Sequence, residues 1–316
     1  MTALGLALAG PRDPQQWKRA RRLVTRAEAL GLHSVWLPEG HFRPGATASP
    51  LVALSAFAAR TERLRLATTS VLLPIHDPLR LAAEVAVLDQ LSGGRALLGL
   101  GRGFQPAVFD AFGVDASAKR DRFDEALDAM LRAWSGAETA AAGAPPAPRP
   151  LQRPHPPLVV AAFGRQGLLQ AARRGLPYLA SPLESLEVLA ENYALWREHL
   201  TAEPAVASPR VPVMRTVHVA ADDAEAARVR EALAAELPAA VTRASPVLAR
   251  AAGGPLEARV VVGTRDQVRD ALARYRERLG MDLLVARTEV PGASEAERDA
   301  ALERLALEVG PALAAA

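Results

Sequence analysis

Short apolar runs alternate along the chain with longer segments in which apolar residues recur every three or four positions. The runs at 34–37, 96–100 and 158–162 contain few polar side chains, a pattern typical of strands buried on both faces of a sheet. Residues 120–134 instead carry large apolar side chains at helical spacing, which predicts one buried helix face. Because the two periodicities follow each other repeatedly, the chain is predicted to alternate strands and helices.

Eight runs are predicted as strands, each followed by a helical segment. They cover residues 4–9, 34–37, 65–73, 96–100, 158–162, 178–180, 211–220 and 282–286. Eight such units in 316 residues predict an α/β fold, a (β/α)8 TIM barrel that forms a single domain over residues 1–316, rather than a sandwich or two unrelated domains.

Two segments rich in small residues and proline interrupt this pattern. Residues 237–262 are predicted to form an insertion before the last βα unit, with 259–263 adding a short strand outside the count of eight. Residues 137–157 are predicted to form an exposed connection without packed structure of its own.

The composition excludes several classes of protein and site. No apolar run approaches the roughly 18 residues that a membrane span needs, and no basic residues precede the short apolar segment at the amino terminus. We therefore expect a cytoplasmic protein without a membrane span or secretory signal. The absence of cysteine excludes disulfides and thiolate sites, and the six histidines lack metal-ligand spacing, so no metal is predicted.

The charge pattern argues against nucleic-acid binding. The net charge is only +3, and apart from Lys18 and Lys119 the cationic residues are all arginines. Arginines alternate with acids, as in Arg265-Asp266, which is typical of a solvated helix face. The one basic cluster, residues 18–22, is short and is not interleaved with aromatics, so we expect no nucleic-acid partner.

Arg102 lies at the carboxyl end of the fourth predicted strand, between Gly101 and Gly103. Glycines let the backbone approach a ligand, and a guanidinium can hold a phosphate through two parallel hydrogen bonds. Anion binding is one interpretation; helix capping or pairing with an acid explains the spacing equally well. The run nearly matches the dinucleotide fingerprint G-x-G-x-x-G, but Phe104 occupies the third glycine position, so no Rossmann site is predicted.

Further polar and aromatic residues follow other predicted strands, where barrels place their functional groups. They are Glu39, His41, Phe42, Thr69, Ser70, His76, Gly164, Arg165 and Ser181. Two arginines and the glycine-rich helix start at 164–167 fit one phosphate monoester, because free N–H groups and the helix dipole favour an anion. The aromatic neighbours suit a flat ring, which indicates FMN or a related flavin, although a sugar phosphate fits the same pattern.

Four sequence blocks stand out in order along the chain. They are WLPEGHF at 36–42, TTSVLLPIHDPLR at 68–80, LDQLSGGR at 88–95, and GRG at 101–103 with AFGVD at 111–115. These blocks resemble the luciferase-like monooxygenase family, the flavin- or deazaflavin-dependent (β/α)8 barrels related to bacterial luciferase. The resemblance runs from about residue 4 to 200 and returns over 261–286.

The resemblance implies roles for individual residues. Arg102 and Arg120 would hold the flavin phosphate, while Gly164, Arg165 and Gly167 would replace its hydroxyl-bearing contacts. Ser181 matches a flavin-contacting serine, and Thr69-Ser70 matches a non-prolyl cis peptide packed against the flavin ring. The cofactor-binding set that we predict is completed by Glu39, Phe104, Ala162 and Phe163.

The chain departs from the family at the residue after the glutamate. Luciferase-type members carry two adjacent histidines there, and this chain has Gly40 at the first of these positions. Either His41 or His76 is then the catalytic proton carrier, or no protein base is used. The non-catalytic interpretation of each is a histidine held by loop backbone.

The resemblance implies a flavoprotein oxidoreductase, a monooxygenase in which reduced FMN and O2 oxygenate a small organic substrate. A separate flavin reductase would supply the reduced flavin, and we expect a homodimer or a heterodimer. Two alternatives stay open. One is hydride transfer with the deazaflavin F420 in the same fold, and the other is a non-catalytic accessory subunit, which Gly40 favours.

Overall fold

The computed structural model describes residues 1–42, 47–136, 148–201, 206, 209–241 and 253–314. The strands in these ranges are β1 (Ala3–Ala7), β2 (Ser34–Leu37), β3 (Arg65–Thr68), β4 (Val71–Leu72), β5 (Ala96–Gly101), β6 (Leu158–Ala161), β7 (Tyr178–Leu179), β8 (Pro212–Val219), β9 (Val260–Gly263) and β10 (Leu283–Arg287). The α-helices are α1 (Pro14–Ala29), α2 (Pro50–Ala58), α3 (Pro78–Leu91), α4 (Pro106–Ala111), α5 (Lys119–Ser135), α6 (Gly164–Arg173), α7 (Leu186–Glu198), α8 (Asp223–Val241), α9 (Arg265–Leu279), α10 (Glu295–Arg304) and α11 (Gly310–Ala314). Short 3-10 turns cover Leu73–Ile75, Ala116–Ala118 and Leu256–Ala258, and a π turn covers Leu305–Val309.

The strands form one curled parallel sheet. Its order is β7-β6-β5-β3-β2-β1-β10-β8-β9, and β4 pairs with β5. A parallel bridge between Ala180, just after β7, and Val213 of β8 joins the two sides of the curl. The predicted α/β fold with parallel strands is therefore confirmed, as is the short extra strand at 259–263, which is β9 and pairs with the second half of β8.

Side chains on the two faces of the sheet form separate cores. The inner cluster contains Ala7, Trp36, Ala67, Leu97, Val159, Leu179, Met214, Leu283 and Val285. A larger cluster fills the space between the sheet and the helices, and it includes Phe123, Leu127, Met130 and Trp134 of α5, which confirms the predicted apolar helix face. None of the described helices is long and apolar enough to cross a membrane.

The third predicted strand, 65–73, is wrong as one continuous element. β3 ends at Thr68 and β4 begins at Val71, and the peptide bond between Thr69 and Ser70 is cis. The Thr69 N–H donates to the Leu37 carbonyl, 2.8 Å away, at the end of β2. The cis bond turns the backbone between the two short strands, so the single apolar run of the sequence is divided in two.

The connection predicted to be unpacked, 137–157, is also wrong over its described part, 148–157. Gln152 donates through its backbone N–H and Nε2 to the Asp89 carboxylate at 2.9 and 2.7 Å, and Nε2 also lies 2.8 Å from the Ala96 carbonyl. Asp89 is buried, and a buried carboxylate needs donors. The segment supplies them and is held against β5.

The predicted insertion at 237–262 lies partly outside the described residues. Its first residues continue α8 to Val241, and its last residues form the 3-10 turn and β9. Residues 242–252 are outside the described ranges. The insertion itself therefore stays a prediction.

Candidate active site

The predicted site residues follow the carboxyl ends of the strands and lie at one edge of the sheet. Glu39 follows β2, Ser70 follows β3, Arg102 follows β5, Ala162 follows β6 and Ser181 follows β7. Since the strands are all parallel, these ends share one edge. We call the space that this edge encloses the mouth of the sheet.

The Arg102 side chain lies directly on the first turn of α6. A Cβ atom added to Gly167 would be 2.2 Å from Arg102 Nη2 and 2.9 Å from the Ala162 Cβ, so only glycine leaves room for the guanidinium there. The residue at the helix N-cap, Phe163, has no side-chain acceptor for the first-turn N–H groups, and Gly164 begins the helix with a φ of +69°. The guanidinium and the helix N-terminus thus converge as an anion site requires.

Two further cations stand beside Arg102. Burial, followed by the positive charge of Arg120, lowers the pKa of Arg102; burial, followed by the charges of Arg102 and Arg120, lowers the pKa of Lys119. Asp124 pairs instead with Arg174, at 2.9 Å. Within the described ranges no carboxylate forms an ion pair with Arg102, Lys119 or Arg120. The charge of Asp124 acts on Arg102 from a longer distance and partly offsets the lowering of its pKa, but one such carboxylate leaves the three cations with an excess of positive charge.

Contacts between α5 and α6 hold the cluster together. Gln170 of α6 donates to the Arg120 carbonyl at 3.1 Å and to the Asp124 carboxylate at 2.8 Å, and Arg174 continues the seam to Asp124. The two helices therefore run side by side in the same direction. Their N-termini, with the partial positive charge that such termini carry, lie together at the mouth.

Other predicted phosphate and cofactor contacts are less closely placed. Arg165 is in the first turn of α6 but is exposed to solvent, and no hydrogen bond or ion pair joins it to Arg102. Phe104 is 46% exposed beyond Gly103. Both lie at the carboxyl edge, and both are exposed to solvent.

The predicted cis peptide between Thr69 and Ser70 is confirmed. Glycines of β5 make the space for this segment, since a Cβ on Gly99 would lie 2.1 Å from the Thr68 carbonyl oxygen and one on Gly101 would lie 2.1 Å from the Ser70 Oγ. The backbone of β5 thus approaches the 68–70 segment more closely than any side chain would allow. The result is a flat, small-residue surface next to Arg102, which suits the close approach of a planar ring.

The Glu39 carboxylate binds both candidate histidines. Oε1 of Glu39 lies 2.7 Å from His41 Nε2 and 2.9 Å from His76 Nε2, while Oε2 accepts the Leu72 N–H at 2.7 Å. Burial opposes ionisation of Glu39, but hydrogen bonds from His76, Leu72 and His41 outweigh it and hold its pKa below the usual range. A buried, ionised carboxylate therefore orients two imidazoles.

Gly40 fills the position at which the family carries its first histidine. Its N–H donates to the Thr47 carbonyl at 3.1 Å, and the next residue, His41, reaches back to Glu39. The His41 ring also contacts Phe112, with centroids 4.9 Å apart, and Phe42 at 5.9 Å. Phe42 is 71% exposed, so an aromatic rim borders the histidines on the solvent side.

A buried polar network supports Ser181 from behind. Arg215, fully buried on β8, donates to the carbonyls of Ser181 and Glu184 and to the Tyr275 hydroxyl. The Glu184 carboxylate accepts from the Tyr178 hydroxyl at 2.7 Å, and burial raises the pKa of Glu184. Ser181 itself accepts the Leu183 N–H at 3.1 Å and is held in place at the mouth.

Sequence reasoning missed two residues at this edge, Lys119 and Arg287, and one residue behind it, Arg215. Lys119 is one of only two lysines and directly precedes Arg120, which was an available signal. The support that Arg215 gives to Ser181 could not be predicted from the sequence, because it depends on which face of β8 the Arg215 side chain occupies. Arg287 follows the last residue of the eighth predicted strand, and the rule that barrel sites lie at strand ends would have included it.

Comparisons with known proteins agree with this geometry. The family model for luciferase-like monooxygenases matches residues 2–282. An uncharacterized protein of Sinorhizobium fredii is 37% identical over 169 residues, 51% of this chain and 49% of that protein. The oxygenase component of flavin-dependent trigonelline monooxygenase from Acinetobacter baylyi is 28% identical over 218 residues, 63% of this chain and 58% of that protein.

A solved structure extends the match over the whole chain. The crystal structure of monooxygenase RslO1 from Streptomyces bottropensis superposes with a TM-score of 0.80 at 29% identity, covering 98% of this chain and 99% of that one. By contrast, the chain spans only about half to three fifths of the length of the first curated relatives that it matches. The resemblance noted in the sequence is confirmed: the chain belongs to the luciferase-like monooxygenase family.

Proposed function

We propose that the chain is a monooxygenase that uses reduced FMN and O2 to oxygenate a small organic substrate. The observation that carries the proposal is the Arg102 guanidinium lying on Gly167 at the start of α6, beside Lys119 and Arg120 and without a carboxylate partner among the described residues. Arg102 and Lys119 are partly desolvated and lie close to the exposed Arg120, so an anion that joins them and the free helix N–H groups relieves the repulsion between the three cations. A dianionic phosphate monoester is the ligand that fits.

The rest of the mouth fits the ring of the same cofactor. The Thr69-Ser70 peptide and the glycines of β5 form a flat surface beside the phosphate site, and Ala162 and Ser181 are small side chains on the next strands. Arg102 and Arg120 would hold the phosphate, and Thr69-Ser70 would support the ring. When bound, reduced FMN supplies the reaction with O2, which the side chains of the protein cannot perform alone.

The side chains around the ring orient the reactants and handle protons. Because Glu39 is ionised, Nε2 of His41 and Nε2 of His76 would each donate toward it, which leaves Nδ1 as the nitrogen of each ring that can exchange a proton. Either histidine would then hold or transfer a proton through Nδ1. The Phe42 and Phe112 rim limits water at this side.

We propose that a separate flavin reductase supplies the reduced cofactor. The sequence lacks the third glycine of a dinucleotide fingerprint at the 99–104 run, and the trigonelline relative is named as the oxygenase component of its enzyme. A monooxygenase without a nicotinamide site of its own needs a partner that reduces flavin.

The decisive experiment measures binding first and oxygen transfer second. Calorimetric titration should give tighter binding of reduced FMN than of F420, and mixing the loaded protein with ¹⁸O2 and a panel of ketones, aldehydes and aromatic acids should place one ¹⁸O atom in a product. Tight F420 binding with hydride transfer, but no ¹⁸O incorporation, would establish the hydride-transfer alternative. A folded protein that binds neither cofactor would establish an accessory subunit.

A further inference from the structure

Arg287 is the last residue of β10 and faces the inside of the curled sheet. Side chains alternate between the faces of a strand, and Leu283 and Val285, two and four residues before Arg287, belong to the inner cluster. Arg287 is the next residue on that face, beyond the apolar layer. It pairs in register with Ala7 of β1 and Thr216 of β8, so its side chain enters the mouth.

The sheet topology places Arg287 across the mouth from the phosphate site. From β10 the path through β1, β2 and β3 reaches β5, and the path through β8, β7 and β6 reaches the same strand, so β10 and β5 are opposite. In barrels of this kind, following the paired strands once around the barrel shifts the register by about eight residues. With that shift shared over the strands, Arg287 lies at about the same level along the barrel axis as Ser70 and Ser181. Arg102 follows β5, so the two arginines approach a bound ligand from opposite ends.

Arg287 has no counterion in the described part of the chain. No carboxylate lies within ion-pair distance of it among these residues, and the neighbouring acid, Glu289, is committed to Arg19 at 2.9 Å. Burial lowers the pKa of Arg287, and no charged neighbour contributes to the shift, although solvent still reaches the side chain. A cation that is exposed to solvent at the mouth, accessible to a ligand and unpaired among the described residues is poised to take an anion.

We propose that Arg287 binds the carboxylate of the substrate, so that the substrate class is organic acids. The inference rests on the proposed function, because it assigns the phosphate to the opposite side of the mouth and leaves the Arg287 side for the substrate. The planar guanidinium fork matches the two oxygens of a carboxylate. Arg287 is then a specificity-determining residue for the same reaction.

The first test needs no cofactor. Phenylglyoxal modifies accessible arginines, and peptide mapping by mass spectrometry follows each site; Arg265, which is exposed and paired with Asp266, is the internal reference. Acetate, butyrate and benzoate should slow modification of Arg287 about fivefold or more, whereas acetamide, butyramide and benzamide should not, and Arg265 should be unaffected by all six. Equal rates at Arg287 with the acids and the amides would overturn the proposal.

The second test uses the FMN-loaded protein and calorimetric titration with benzoate. Arg287→Gln should weaken benzoate binding about tenfold or more while leaving FMN affinity unchanged, Arg287→Lys should lose less, and the matched surface variant Arg265→Gln should lose nothing. Loss of FMN affinity in Arg287→Gln would overturn the proposal, because the residue would then serve the cofactor. If the wild type does not bind FMN, the proposed function fails and the modification experiment alone decides on Arg287.

Discussion

Replacing Arg102 by Ala removes the guanidinium that lies on Gly167 while leaving the fold of the mouth in place. Arg102 packs against a glycine and an alanine and has no carboxylate partner among the described residues, so its loss breaks no ion pair. In the absence of ligand the change relieves repulsion from Arg120 and Lys119. The ligand-free variant should therefore melt at the same temperature as the wild type or slightly higher.

Arg102→Ala should lose binding free energy only for a ligand that carries a phosphate. A hydrogen bond to a charged group contributes about 1.5–3 kcal/mol, and about 1.4 kcal/mol changes an affinity tenfold. Arg102→Ala should thus weaken FMN binding by about 10- to 150-fold. Riboflavin has the same ring without the phosphate, so its affinity should change by less than about twofold.

The assay is calorimetric titration of both ligands into the wild type, Arg102→Ala and a control, Arg173→Ala. Arg173 is exposed in the last turn of α6, the helix whose start Arg102 contacts. The control therefore removes an equal charge far from the mouth. FMN affinity of the wild type should also fall with added salt while riboflavin affinity should not. Equal losses for FMN and riboflavin in Arg102→Ala would refute the phosphate assignment.

Two further predictions concern groups that Arg102 or the histidines depend on. Gly167→Ala places a Cβ 2.2 Å from the Arg102 Nη2 and should displace the guanidinium. FMN affinity measured by titration should then fall about tenfold, even though alanine favours a helix by roughly 1 kcal/mol over glycine. The control Gln166→Ala changes an exposed neighbour on the same helix and should leave FMN affinity unchanged. Glu39→Gln should lower the free energy of unfolding by about 1–3 kcal/mol at pH 7. The pKa of Glu39 is depressed in the folded protein, so the ionised carboxylate stabilises the fold above about pH 4.3, and this stabilisation is lost as the pH falls through the folded pKa. The denaturant curves of the wild type and the variant should therefore converge on acidification. A difference in unfolding free energy that grows toward low pH would contradict an ionised Glu39.

The phosphate site could be predicted because each of its signals is local in the sequence. The signals are the strand that ends in glycine, arginine and glycine at 101–103 and the glycine-rich start of α6. Each can be recognised from neighbouring residues in the sequence alone. Spacing alone left helix capping or an acid pair open for Arg102. The structure adds that Arg102 forms no ion pair among the described residues, since Asp124 binds Arg174 instead, and anion binding by Arg102 stays a prediction.

Other features depend on pairing that no local pattern contains. The run at 65–73 looks like one strand because every residue after Arg65 is apolar or small, and the break at Thr69-Ser70 lies where the glycines of β5 approach this segment closely. Gln152 lies in a segment rich in proline, yet buried Asp89 recruits it. Arg287 was missed because its face is set by register with β1 and β8, and the predicted strand ended one residue before it.

Under the proposed function, the Glu39 carboxylate provides for a proton carrier even though position 40 is glycine. Two histidines reach one carboxylate from different elements, His41 from the loop after β2 and His76 from the turn after β4. Both contact the same oxygen, Oε1, and His76 Nε2 also lies 3.0 Å from Oε2. We propose that His76 offsets the missing family histidine. It lies on a separate segment, and the pairing of β4 with β5 sets the position of that segment.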